Sequence, residues 1–109
     1  MSGIIHDLLV SYNRELKQLF GENLEKVILF GSYARGDYSR SSDIDIMILV
    51  NIQPEKICDY ADKVYDFTYD FEQEHGIEIN PCIQNIDTYN HWKGVYPFFV
   101  NIEKEGVAV

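Results

Sequence analysis

Two short apolar runs set the frame for this chain. Val27 to Phe30 is an unbroken apolar stretch stopped by Gly31, and "DIDIMILV", residues 43 to 50, is a second run entered through two aspartates. Both have strand length, and the first, with no polar alternation, reads as a central strand covered on both faces. The cover is encoded on either side. Ile4, Ile5, Leu8, Leu9, Tyr12, Leu16, Leu19 and Phe20 recur at helical spacing ahead of Gly21, which predicts a helix with one core-facing stripe. Pro54 opens a longer helical pattern, with Ile57, Tyr60, Ala61, Val64, Phe67, Thr68 and Phe71 on one side and Gly76 as its stop.

"IEINPCI", residues 77 to 83, reads as a third strand, with Pro81 placing it at an edge or at a bulge. From Asp87 onward the pattern predicts one or two short helices broken near Pro97, then an apolar scrap, "VAV". The order of elements predicts an α/β (α+β) fold, a small mixed β-sheet with helices packed on it. At 109 residues, the expectation is one domain, residues 1–109, with one core.

Eighteen acidic against nine basic side chains give a net charge of -9, which opposes nonspecific attraction to a nucleic-acid backbone. No apolar run approaches the roughly 20 residues of a bilayer span, and the N-terminus lacks the order of a signal peptide, so the expected compartment is the cytoplasm. Cys58 and Cys82 have neither metal-ligand spacing nor a nearby histidine, and read as buried free thiols. His6, His75 and His91 are not spaced as a metal site. Tyr60, Tyr65, Phe67, Tyr69 and Phe71 read as core and core margin.

The chemistry is concentrated in "GSYARGDYSRSSDID", residues 31 to 45. Side chains alternate along a strand, so Asp43 and Asp45 share one face, their Cα atoms about 6.5 to 7 Å apart. Two carboxylates so close repel unless a cation lies between them. Upstream, Gly31 permits close backbone approach, and Ser32 is placed to cap the N–H groups of a short turn that favours anions. The spacing of Gly31 and Gly36 fits neither a P-loop nor a dinucleotide-binding fingerprint. Ser32 lacks the glycine frame of a serine nucleophile.

The motif resembles the signature of the nucleotidyltransferase superfamily of the DNA polymerase β type, in particular its minimal members, the antitoxin-like MNT proteins that accompany HEPN partners. The quoted stretch carries the likeness most specifically, and the element order extends it over residues 4 to 84. The resemblance implies a polymerase β palm-like fold. It implies that Gly31 and Ser32 hold the triphosphate of ATP or another nucleoside triphosphate, with Ser42 in the same nucleotide site. Arg35 either adds charge near the phosphates, pairs with Asp37 or lies in water. It further implies that Asp43 and Asp45 bind divalent metal, two Mg2+ ions with Mn2+ as an alternative. A third carboxylate is expected on an adjacent strand. Glu78 is the candidate, where many family members carry an aspartate.

The activity so implied is transfer of a nucleoside monophosphate, AMP from ATP, to a hydroxyl, with a tyrosine of a HEPN-type toxin as acceptor. Only some 25 residues follow the three expected strands, too few for a separate acceptor-binding domain, so the docking surface is expected from another macromolecule. Two alternatives stand beside this reading. One is a non-catalytic, antitoxin-like binding module with a vestigial nucleotide site, the other a nucleotidyltransferase that modifies small molecules such as drugs.

Overall fold

The computed structural model describes residues 3–39 and 41–109, so residue 40 of the expected polar loop falls outside the described residues. Helix α1 (Gly3–Phe20) leads through a 3-10 turn (Gly21–Asn23) into strand β1 (Leu24–Phe30). A four-residue helix, α2 (Ser32–Arg35), and a loop precede β2 (Ile44–Val50). A second 3-10 turn (Pro54–Lys56) opens α3 (Cys58–His75), which is followed by β3 (Ile79–Asn85), α4 (Ile86–Trp92), α5 (Pro97–Glu105) and a two-residue strand, β4 (Val107–Ala108).

The sheet order is β3-β2-β1-β4, so the expected central place of β1 is shared with β2. β1 runs antiparallel to β2 and to β4, and β3 runs parallel to β2. A parallel neighbour needs a long crossover, which α3 supplies. Pro81, opposite Ile46 in this register, has no N–H to donate, and it sits on the edge strand, where sheets tolerate it. Two residues of the apolar scrap, Val107 and Ala108, form a fourth strand, which the sequence did not predict. Gly106 makes its entry possible, because a Cβ there would run into the Ile102 carbonyl and the Ile28 side chain.

Alternation along the strands divides the interior in two. Val27, Leu29, Ile44, Ile46, Ile48 and Val50 face α1 and α3, where Leu8, Tyr12, Leu16 and Val64 complete the larger cluster. Ile28, Met47 and Leu49 face the other way and join Tyr89 of α4 with Phe99 and Ile102 of α5. Within the larger cluster the Tyr12 and Thr68 hydroxyls are hydrogen-bonded at 2.6 Å, tying α1 to α3. Burial pushes the Tyr12 phenol up to about 12. Ile4, expected in the stripe, is 71% exposed, off the face that Ile5, Leu8, Leu9 and Tyr12 bury.

Gly21 and Gly76 end their helices with positive φ, as expected of stop residues. Phe67 and Phe71 pack edge-on against Tyr12, while Tyr65 and Tyr69 remain exposed. Both cysteines are free, and the expectation of two buried thiols holds in part: Cys82 is partly buried, Cys58 exposed. Among the described residues, no helix is long and apolar enough to cross a membrane.

Candidate active site

β1 ends at Phe30, paired with Asp45 of β2, so the turn that follows passes directly beside that carboxylate. Gly31 adopts φ 77 and ψ -155, a region essentially reserved for glycine. A Cβ on Gly31 would come within 2.3 Å of Asp45 Oδ2. Two independent constraints therefore select glycine here. The Gly31 carbonyl accepts from the N–H groups of Ala34 and Arg35, each at 3.1 Å, which closes α2.

Ser32 does not cap this turn as expected. It is the first residue of α2, and Gly31 holds the cap position with no side-chain hydrogen bond. The bent glycine leaves the capping to its own carbonyl. Gly31, Ser32, Arg35 and Asp45 line one open cleft of about 430 Å³, whose opposite wall is Phe98, Asn101, Ile102 and Glu105 of α5, with Phe30 alongside. Arg35 donates through Nε to Asp37 at 3.1 Å and through a terminal nitrogen to Glu105 at 3.2 Å. Its expected partner Asp37 is present, and a carboxylate from α5 is added. Ser42 stands apart from this cleft, its hydroxyl accepting from the Ser39 N–H at 2.8 Å to close the loop before Asp43.

The two aspartates lie on the same side, as the alternation requires. Asn80, opposite Asp45 in the β2–β3 register, donates its amide to Asp43 Oδ2 at 2.9 Å and to Asp45 Oδ1 at 3.3 Å. One neutral side chain thus holds two like charges together. Glu78 precedes β3 rather than lying within it, and its carbonyl accepts from the Ile44 N–H at 2.8 Å. Its carboxyl is held above the usual carboxylate range, chiefly by the negative charge of Asp43.

Glu78 stands beside Asp43, and Asn80 rather than Glu78 joins the two aspartates. Among the described residues no three aspartate, glutamate, histidine or cysteine side chains form a metal-ligating group. The donor chemistry nonetheless fits a hard cation. Magnesium commonly takes one or two protein carboxylates and completes its shell with water and substrate phosphates. Asp43 and Asp45 supply such a pair, and Glu78 beside Asp43 adds to the charge that a cation would offset.

Asn80's bridging role and the wall formed by Phe98, Asn101 and Glu105 were not foreseen. Asn80 had a signal, since it lies two residues beyond Glu78 on the same strand face. For α5 there was none, because helical spacing does not say which edge of a sheet a helix will flank.

The sequence places this arrangement in a known class, the transferases of nucleotidyl groups. The chain belongs to the nucleotidyltransferase domain family, whose model matches residues 9–92. That span holds the glycine turn, both aspartates, Glu78 and Asn80. Two particular relatives come from Methanocaldococcus jannaschii, both named as candidate protein adenylyltransferases. MJ0604 is 34% identical over 91 residues, covering 84% of this chain and 83% of its own. MJ1305 is 32% identical over 80 residues, covering 73% of this chain but 54% of its own. This chain thus spans only about half the length of that second relative.

Among solved structures, a candidate nucleotidyltransferase from Sulfolobus solfataricus superposes with a TM-score of 0.62 at 26% identity, covering 94% of this chain and 76% of that one. A toxin–antitoxin complex with AMP-PNP contains the same fold, with a TM-score of 0.56 at 17% identity over 90% of this chain and 69% of that one.

Proposed function

We propose that this chain is a metal-dependent protein adenylyltransferase of the cytoplasm, moving AMP from ATP to a hydroxyl of a partner protein, a tyrosine of a HEPN-type toxin. The observation that carries the reading is the contact between Gly31 and Asp45. The turn suited to phosphate and Asp45, one of the acidic pair suited to metal, line one cleft, with space for a Cβ given up to bring them together.

The residues divide the work by position. Gly31 and Ser32 let the triphosphate approach the backbone closely, and Arg35 is near enough to exchange a carboxylate partner for a phosphate oxygen. Asn80 keeps Asp43 and Asp45 facing one point, which limits the reorganisation needed when substrate arrives. Asp43 and Asp45 would hold Mg2+, which supplies charge neutralisation at the phosphates and acidifies an acceptor hydroxyl. The names of the M. jannaschii relatives support a protein acceptor, and the toxin–antitoxin complex supports a partner of the toxin kind.

The test is to purify the protein with the product of the neighbouring gene, incubate with ATP and magnesium, and weigh the partner. A mass gain of one AMP, lost when Asp43 and Asp45 are both changed to asparagine, is the expected result. Silencing of the partner by the doubly substituted protein, with no mass gain from the unaltered one, would identify a binding module with a vestigial site instead. Transfer to a small-molecule hydroxyl alone would reassign the acceptor.

A further inference from the structure

The far wall of the cleft has a composition that the phosphates do not call for. Phe98, a residue 42% exposed, lines it with its ring edge-on against Phe30 at 5.6 Å between centroids. Asn101 lies one helical turn further along α5 and lines the same cleft. Its side-chain amide makes no hydrogen bond to another described residue. An aromatic face beside a free amide, on the wall across the cleft from Gly31, Ser32 and Arg35, has the makings of a purine pocket. The ring offers stacking, and the amide offers one donor and one acceptor side by side.

We infer that Phe98 and Asn101 form the base subsite and that Asn101 makes it selective for adenine. An asparagine amide pairs in bidentate fashion with the N6 amino group and N7 of adenine, whereas guanine shows two acceptors, O6 and N7, on that edge. The amide oxygen then faces O6 without a proton between them. Stacking on Phe98 discriminates little, since every base has a π-face. Selectivity therefore rests on Asn101 and overall base affinity on Phe98. This inference rests on the adenylyl-transfer reading, but its residues are separate from those proposed to bind phosphate and metal.

The experiment measures binding of ATP, GTP and inorganic tripolyphosphate, each with magnesium, to the unaltered chain and to Asn101→Ala and Phe98→Ala variants. Asn101 is exposed, so its truncation leaves the core intact, and a melt of each apo variant checks the fold. The unaltered chain is expected to prefer ATP over GTP by about tenfold or more, within the range of one good bidentate pair. Asn101→Ala should abolish that preference by weakening ATP alone. Phe98→Ala should weaken both nucleotides by about fivefold or more and leave tripolyphosphate unchanged.

An ATP-to-GTP ratio unmoved by Asn101→Ala, in a chain that binds ATP, overturns the base subsite while the phosphate and metal site stands. Tripolyphosphate binding weakened as much as ATP binding by Phe98→Ala would likewise show that α5 acts on the whole cleft. Failure of the unaltered chain to bind either nucleotide or tripolyphosphate removes this inference and the proposed function together.

Discussion

Replacing Gly31 with alanine perturbs the site through two effects of different origin. The first is backbone strain. At φ 77 and ψ -155 a Cβ meets steric resistance from its own chain, at a cost of about 1–3 kcal/mol. That corresponds to roughly 5 to 20 °C in Tm for a domain of this size. The second is displacement. Ordinary contact begins near 3.4 Å and the added carbon would lie 2.3 Å from Asp45 Oδ2, so the carboxylate must retreat by about 1 Å and disturb its hydrogen bond to Asn80.

Misplacement on that scale can cost about 100-fold in rate, and the same factor serves as the working magnitude for lost magnesium-ATP affinity. At an ATP concentration 100 times the dissociation constant, the unaltered chain should gain about 2.7 kcal/mol. With affinity 100-fold weaker, the same ATP stabilises by RT ln 2, about 0.4 kcal/mol. Thermal melts with and without magnesium-ATP read both effects. Combining Gly31→Ala with Asp45→Ala separates them, because removing the carboxylate relieves the contact but not the strained backbone. A Gly31→Ala protein that melts and responds to ATP like its parent would refute the argument. So would a stability cost identical in both backgrounds, which would leave strain as the whole effect.

Other perturbations test neighbouring parts. Glu78 holds its proton more tightly when folded, so its contribution to stability is lost as pH climbs from the ordinary value of 4.5 through the raised one. In metal-free buffer, Glu78→Gln should remove that loss, so that its melting temperature gains on the parent's across this window; parallel curves would show that Asp43 does not act on it. Tyr12→Phe leaves the buried Thr68 hydroxyl without its partner, and should cost about 1–3 kcal/mol in denaturant melts with the ATP response retained. Arg35→Ala breaks two exposed ion pairs, each worth about 1 kcal/mol or less, so stability should change little while tripolyphosphate binding weakens several-fold. An equal loss of stability and no change in binding would make Arg35 a structural clasp.

The elements that could be read from the sequence are those whose signal is local. The stripes of α1 and α3 follow from helical spacing, their ends from Gly21 and Gly76, and the shared face of Asp43 and Asp45 from strand alternation. Gly31 was also recognisable as a close-approach residue, although the group that approaches, Asp45, depends on the register of two strands. What escaped was set by tertiary partners. Val107 and Ala108 form a strand because β1 offers a free edge, and Val109, just beyond it, donates to the Val27 carbonyl at 2.9 Å. Ser32 carries the right chemistry for a cap yet does not act as one, because the turn before it is bent by Gly31. Glu78 shares its strand's face by parity, but it precedes the strand, and the residue that touches both aspartates is Asn80.

The two-sided interior also bears on how such a protein can change over generations. β2 presents Ile44, Ile46, Ile48 and Val50 to the larger cluster, and Met47 and Leu49 to the smaller one, which α4 and α5 close, while Asp45 lines the cleft. The acidic pair sits at the start of the strand common to both, Asp43 just before it and Asp45 within it, whereas Phe98, Asn101 and Glu105 belong to a helix anchored by Phe99 and Ile102 in the smaller cluster alone. A descendant can therefore redraw the cleft's far wall by exchanging outward residues of one nine-residue helix, while the layer that holds α1 and α3 is inherited unchanged.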